Sequence, residues 1–288
     1  MAIFNHLIYY VQLMKPKVLL LMVTTSWVGM LLAPYPLPSW NNVLGISLGI
    51  FLIAGSGAVL NQFFDKDLDA QMKRTADRPL VLKQVSPIES LILSAVLFIT
   101  GSVFLITCSN LLTLFLTIAG ALGYSFIYTL YLKYSTPQNI TIGGLYGSLP
   151  PLLGWVSLTN HCSADAWLLV AIIFTWTPVH FWALALDKTD EYKAVSIPML
   201  PVTHGHYFTS YSIILYNLLL IPVCLLPVLT RLLTYRYGII SILLNILYLK
   251  LNLNILQKKP RANKISFYYS IGYLYCLFAT MIADRYLT

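Results

Sequence analysis

Long apolar runs alternate with short polar breaks along the whole chain. A helix needs about 20 apolar residues to cross a hydrocarbon layer about 30 Å thick. That spacing predicts spans near 17–33, 42–63, 88–107, 110–131, 139–156, 166–186, 208–229, 237–255 and 266–286. Lys15-Pro16-Lys17 opens the first span, since Pro is tolerated at a helix start. Ala33-Pro34-Tyr35-Pro36-Leu37-Pro38 cannot continue a helix and makes the first outside turn. Cys108-Ser109-Asn110 leaves room only for a tight turn, so spans three and four form an antiparallel hairpin. Gly45, Gly49, Gly55 and Gly57 let neighbouring helices approach span two closely. Tyr124, Tyr128, Tyr131 and Tyr134 at the end of span four read as an aromatic belt at the membrane interface. The fold class is all-α: a polytopic membrane protein, a bundle of about nine transmembrane helices forming one domain over residues 1–288.

Composition excludes a soluble protein, because 58% of the residues are hydrophobic and only 10% charged. The net charge of +8 raises nucleic acid as a partner, but its distribution argues against that. With the N-terminus in the cytoplasm, fifteen Lys and Arg fall on inside segments and three, Arg231, Arg236 and Arg285, outside. That is a positive-inside bias, so the charge sets topology, with the N-terminus cytoplasmic and the C-terminus outside. Residues 1–14 have no basic segment before an apolar core, and no Arg-rich, Ser-rich stretch precedes the first span, which points to a bacterial inner (plasma) membrane. The four cysteines are scattered without a Cys-x-x-Cys pair, so neither a disulfide framework nor zinc is expected.

The longest polar segment, 64–87, carries the densest chemistry. On a helix advancing about 100° per residue, Asn61, Asp65 and Asp69 share one face and Asp67 lies on the other side. Two carboxylates and an amide on one face suit a hard divalent cation, above all Mg²⁺ held jointly with phosphate oxygens. Arg74 and Arg78 follow, suited to bidentate phosphate contact. The plainer alternative is a solvated interface cap, which needs no shared face. Lys133 lies on the same side of the membrane and either adds a donor to a diphosphate or simply sets topology.

A second polar cluster closes span six: Trp176-Thr177-Pro178-Val179-His180-Phe181-Trp182, then Asp187, Asp190, Glu191 and Lys193. If the helix runs on, His180, Asp187 and Glu191 fall on one face, with Asp190 off it. An ionisable residue at membrane depth is costly and usually faces a cavity. His180 is therefore either a ligand for a substrate or a histidine hydrogen-bonded across helices. Two carboxylate clusters brought together would repel unless cations intervene, a second argument for Mg²⁺.

These pieces resemble the UbiA-type intramembrane prenyltransferase superfamily, which pairs an Asn-x3-Asp-x3-Asp motif with a second acidic motif. Within it the likeness is to the heme O synthases. It rests on Asn61-x3-Asp65-x3-Asp69, Arg74-Thr75-x2-Arg78-Pro79, Thr136-Pro137-Gln138-Asn139-Ile140, Gly143-Gly144, Trp176-Thr177-Pro178-x-His180-Phe181 and Tyr192-Lys193-Ala194-x2-Ile197-Pro198. The resemblance implies a cytoplasm-facing active-site cavity and farnesyl transfer from farnesyl diphosphate to a vinyl group of heme B, giving heme O. It implies catalytic Asn61, Asp65, Asp69 and His180, Mg²⁺ on Asp65 and Asp69 with Asp187, Asp190 or Glu191, and diphosphate on Arg74, Arg78, Lys133 and Lys193. His180 would bind or orient heme. Membrane lipid surrounds such an enzyme, and a heme A synthase or terminal oxidase would receive its product. The chain departs from the family pattern in having Glu191, preceded by Asp190, where Asp usually stands before the Tyr, and Val195-Ser196 before Ile197. Helical phase favours Asp187 and Glu191 as ligands, the family pattern the pair beside Tyr192. Rival readings are a prenyltransferase for an aromatic or quinone precursor and a membrane transporter.

Overall fold

The computed structural model describes residues 2–287, with side chains from His6 onward. All regular structure among these residues is helical. In chain order the helices are α1 (Ala2–Leu13), α2 (Pro16–Leu32), α3 (Trp40–Asp69), α4 (Pro87–Cys108) and α5 (Leu111–Leu122). A π-helical segment, Gly123–Leu132, leads into α6 (Lys133–Ser135). Then come α7 (Asn139–Ser148), α8 (Pro150–Thr159), α9 (Ala164–Asp187), α10 (Thr189–Ala194), α11 (Leu200–Thr203), α12 (Gly205–Leu229), α13 (Tyr235–Leu256) and α14 (Ala262–Leu287). They group into two compact units, one of residues 1–134 and 149–162, the other of 135–148 and 163–288.

Among the described residues seven helices are long and apolar enough to cross a membrane, or eight if α1 and α2, bent by 53°, make one span. Nine were expected. The predicted span 139–156 is two ten-residue helices instead, interrupted at Leu149. The cause is Pro150-Pro151: neither can donate a backbone hydrogen bond, and both are tolerated only in the first turn of a new helix.

The first unit is organised around α3, whose most apolar window is 67% buried, whereas that of α4 is 22% buried. Ile88, Ile92, Val96, Ile99, Val103 and Ile106 of α4 remain exposed, an apolar stripe suited to lipid. The glycines of α3 act as expected. A Cβ on Gly49 would meet Leu105 and Gly101, and one on Gly57 would meet Ser125. The closest approach is between α2 and α8, where a Cβ on Gly29 would overlap the Pro151 carbonyl and one on Gly154 the Ser26 carbonyl. Local chemistry sets the helix starts. Ser86 and Glu89 form a reciprocal capping box at α4, with Pro87 in the first turn. Asn110 caps α5 through Thr113 N–H at 2.9 Å, which makes the expected tight turn.

The second unit is organised around α9, 72% buried over its apolar window. Helices α12, α13 and α14 are joined by buried polar side chains. Asn252 donates to Asn217 at 2.8 Å, Ser266 donates to Asn252 at 2.5 Å, and Tyr273 donates to Asn245 at 3.2 Å. In apolar surroundings such bonds hold helices together and fix their register. At the far end Asp284 accepts from the N–H and hydroxyl of Thr234 at 2.7 and 2.5 Å, which ties α14 to the start of α13.

Candidate functional site

In the first unit α3 continues without a break through the acidic motif and stops at Asp69. Asn61, Asp65 and Asp69 are all buried, at 3–4% exposure, while Asp67 is exposed on the opposite face. Burying two carboxylates one turn apart is costly unless cations are supplied. The structure supplies two: Lys133 Nζ lies 2.7 Å from Asp65 Oδ1, and Arg78 donates to Asp69 Oδ2. Asn61 bridges inward, donating to Asp65 Oδ2 at 2.9 Å and to Thr129 Oγ1 at 3.0 Å.

The π-helical segment explains how the next helix reaches this face. Its bonds run i to i+5, so residues five apart lie on one side. Tyr124, Thr129 and Tyr134 have that spacing, and each touches the site. Thr129 receives Asn61, the Tyr134 hydroxyl comes within 3.5 Å of Asp65 Oδ1, and the Tyr124 hydroxyl lies 3.3 Å from Lys15 Nζ. Tyr124 and Tyr134, expected in the aromatic belt, thus turn their hydroxyls to polar partners within the unit. Only a period of five, hidden under an expected 3.6, would have revealed them.

Lys15 is a second residue that sequence reasoning assigned only to topology. It lies between α1 and α2 with φ of 58°, in the left-handed region, immediately before Pro16. That conformation is uncommon for a non-glycine residue and persists when surroundings over-determine it. The Lys15 ammonium donates to Asn61 Oδ1 at 2.5 Å. Next to Asn61 on α3, Gln62 donates to the Leu13 carbonyl at 2.9 Å, holding the same break.

After α3 the loop folds back on its own motif. Thr75 donates to the Asp69 carbonyl at 3.0 Å, which brings Arg78 to the Asp69 side chain. Arg74 is exposed and makes no ion pair among the described residues. The structure thus gathers Asn61, Asp65, Asp69, Arg78 and Lys133, and leaves Arg74 at the rim.

In the second unit α9 ends at Asp187, and Lys188 takes φ of −117° and ψ of 20° before α10 begins. The helix does not run on, so the phase argument that set Asp187 and Glu191 on one face with His180 fails at that residue. Glu191 accepts from Lys188 at 2.9 Å, and its other oxygen is buried without a hydrogen-bond partner among the described residues. Asp187 lies 4.0 Å from Lys264, while Asp190 and Lys193 are exposed. His180, two turns back along α9, is 8% exposed and hydrogen-bonded across helices to Ser270.

The UbiA prenyltransferase family matches residues 21–278. The chain belongs to this family. It is 48% identical to a protoheme IX farnesyltransferase of Teredinibacter turnerae, over 96% of this chain and 90% of that one. It is 46% identical to protoheme IX farnesyltransferase 1 of Pseudomonas putida, over 96% and 94%. A digeranylgeranylglyceryl phosphate synthase shares the fold with a TM-score of 0.81 at 18% identity, covering 99% of this chain and all of that one. A UbiA homologue of Archaeoglobus fulgidus bound to GPP and Mg²⁺ has a TM-score of 0.73 at 13% identity, over 96% and 99%. This UbiA family member is a multi-pass membrane protein.

The residues present fit a divalent cation of the kind that the Archaeoglobus homologue holds. Among the described residues no cluster of three or more His, Cys, Asp and Glu side chains forms a cage. Two buried carboxylates one turn apart instead suit Mg²⁺, which retains water and substrate phosphate in its shell rather than filling it from protein. Lys133 and Arg78 are the cations that these carboxylates hold in this structure.

Proposed function

We propose that this chain transfers a farnesyl group from farnesyl diphosphate to a vinyl group of heme B, with addition of water, giving heme O and diphosphate. The observation that carries the chemistry is the buried Asn61–Asp65–Asp69 face with Lys133 and Arg78 already upon it. The near full-length identity to protoheme IX farnesyltransferases carries the acceptor.

Asp65 and Asp69 would hold Mg²⁺ together with the diphosphate, and the metal would supply charge neutralisation to the departing group. Arg78 and Lys133, released from the carboxylates, bind phosphate oxygens, with Arg74 and Lys193 as further phosphate donors. The bond from farnesyl C1 to oxygen breaks with its electron pair on diphosphate. Preorganised cations stabilise the charge that develops there. C1 bonds to the outer vinyl carbon, and the cation left beside the macrocycle takes a water, which loses its proton. Asn61 keeps Asp65 in place through its amide. His180 binds or orients the heme, and Asp187, Asp190 and Glu191 are further candidate cation ligands.

We further read residues 1–288 as one domain, because the chain passes between the two units more than once and neither is a contiguous segment. The enzyme lies in a bacterial inner membrane with its N-terminus cytoplasmic and its C-terminus outside, and hands its product to a heme A synthase or terminal oxidase. Reporter fusions at the two ends check the orientation.

The test is an assay of the detergent-purified protein with heme B, farnesyl diphosphate and Mg²⁺, the heme product being followed by mass. A farnesylated, hydroxylated heme that disappears with EDTA and in Asp65→Asn supports substrate, metal and motif together. Prenylation of 4-hydroxybenzoate without any heme product would overturn the acceptor and keep the reaction class.

A further inference from the structure

We infer that Ser270 is a positioning residue for His180, holding its imidazole in the tautomer with the proton on Nδ1 and the lone pair on Nε2. His180 Nδ1 lies 2.6 Å from Ser270 Oγ, and Ser270 Oγ lies 2.6 Å from the Phe267 carbonyl oxygen. A serine hydroxyl has one proton for these two contacts. If it went to Nδ1, Oγ and the Phe267 oxygen would face each other at 2.6 Å with no proton between them, which is repulsive. If it goes to the Phe267 carbonyl, Oγ accepts from Nδ1–H, and both short contacts are hydrogen bonds. Turning the ring over would set a carbon 2.6 Å from Oγ, closer than carbon and oxygen approach.

The ring is held from its faces as well. Trp176 stacks on it at 4.4 Å between centroids and Phe267 at 4.5 Å, with interplanar angles of 16° and 22°. Two nearly parallel rings at that distance cannot share a face, so the imidazole is sandwiched. Trp176 is itself fixed by donating Nε1–H to the Ser270 carbonyl at 3.0 Å. Ser270 therefore fastens both the edge of the imidazole and one of its two covers. Nε2 makes no hydrogen bond among the described residues. A neutral imidazole with its lone pair on Nε2 and its Nδ1–H anchored is the form in which histidine ligates a metal, and the anchor sets both orientation and basicity. The class of ligand that this arrangement takes is a metalloporphyrin through its iron, which is a role in holding the acceptor. That consequence rests on the farnesyl-transfer reading; the tautomer does not.

Nitrogen-15 NMR of histidine-labelled full-length protein in detergent, without heme, reads the tautomer directly, and His180→Gln identifies the resonance. Wild type is expected to show Nδ1 protonated and Nε2 bare, Ser270→Ala to lose that pattern, and Ser270→Thr to retain it. A wild-type Nε2–H signal would overturn the inference, and this measurement needs no variant at position 270 to fold. An unchanged tautomer in Ser270→Ala would overturn it equally. Heme titration followed in the Soret band tests the consequence. Ser270→Ala should weaken binding about tenfold or more, the usual cost of losing the group behind a ligating histidine, and Ser270→Thr should restore it. Heme binding that His180→Gln leaves untouched would refute iron ligation. Absence of both heme binding and heme product would refute the farnesyl-transfer reading, while the NMR still decides the tautomer.

Discussion

Lys133 and Asp65 make the sharpest test of the site, because the ammonium and the metal compete for the same oxygens. The pair is 2.7 Å apart, with side chains 13% and 5% exposed. At an effective dielectric of about 20, that separation corresponds to about 6 kcal/mol of attraction, most of it offset by the cost of taking both charges out of water. The net worth of the pair is therefore small, but either partner left alone at these nearly buried positions costs about 1–2 kcal/mol. Measured without metal, Lys133→Met and Asp65→Asn should each lower the unfolding temperature. The double variant should lose less than the sum, with a coupling of about 2 kcal/mol. Adding metal then separates electrostatics from packing. A divalent ion reaching Asp65 must displace the Lys133 ammonium, and Lys133→Met removes that competitor. About 2 kcal/mol of released coupling corresponds to about a 30-fold lower Mg²⁺ concentration at half-saturation. The same variant loses a phosphate donor, so the KM for farnesyl diphosphate should rise. The assay is initial rate against Mg²⁺ at saturating heme, repeated against farnesyl diphosphate. A half-saturating Mg²⁺ concentration that stays the same or increases in Lys133→Met would refute the view that Lys133 occupies the metal's place on Asp65.

The other predictions concern single contacts. Arg78→Lys keeps the charge but loses the planar guanidinium that Asp69 accepts from, so kcat/KM should fall about 10- to 100-fold; exposed Arg74→Gln should fall less, mainly through KM. Asp284→Asn removes the charge that caps α13 through Thr234 and Tyr237. It should cost about 1–3 kcal/mol of stability, seen as a lower unfolding temperature with kcat unchanged. Gly154→Leu places side-chain atoms on the Ser26 carbonyl, and separating α2 from α8 should cost about 3 kcal/mol or more, read as lost folded protein after detergent extraction. Normal yield of a stable Gly154→Leu protein would show that this crossing is not close-packed.

What could be read from the chain, and what could not, follows from the range over which each signal acts. The acidic face of α3 was legible because both of its ingredients are local: an apolar run that keeps the backbone helical, and polar residues four apart that then share a side. The break at Pro150 was visible as a break, yet the length of 139–156 still read as one span, since hydropathy averages over a proline pair that a backbone cannot ignore. Extrapolating a face from His180 to Glu191 failed for the same kind of reason. It assumed regular geometry through Lys188, where the helix stops and restarts. Lys15 and Tyr134 were out of reach for a different reason. Their partners on α3 are 46 and 69 residues away, and no local spacing encodes which side chains an assembled bundle brings together. Tyr124, Thr129 and Tyr134 lie between these cases. Their spacing of five is in the sequence, but it becomes a face only where the helix widens to i→i+5 bonding, and helical expectation hides it. Positions that break the regular period are therefore where this family member places the polar contacts around its buried carboxylates.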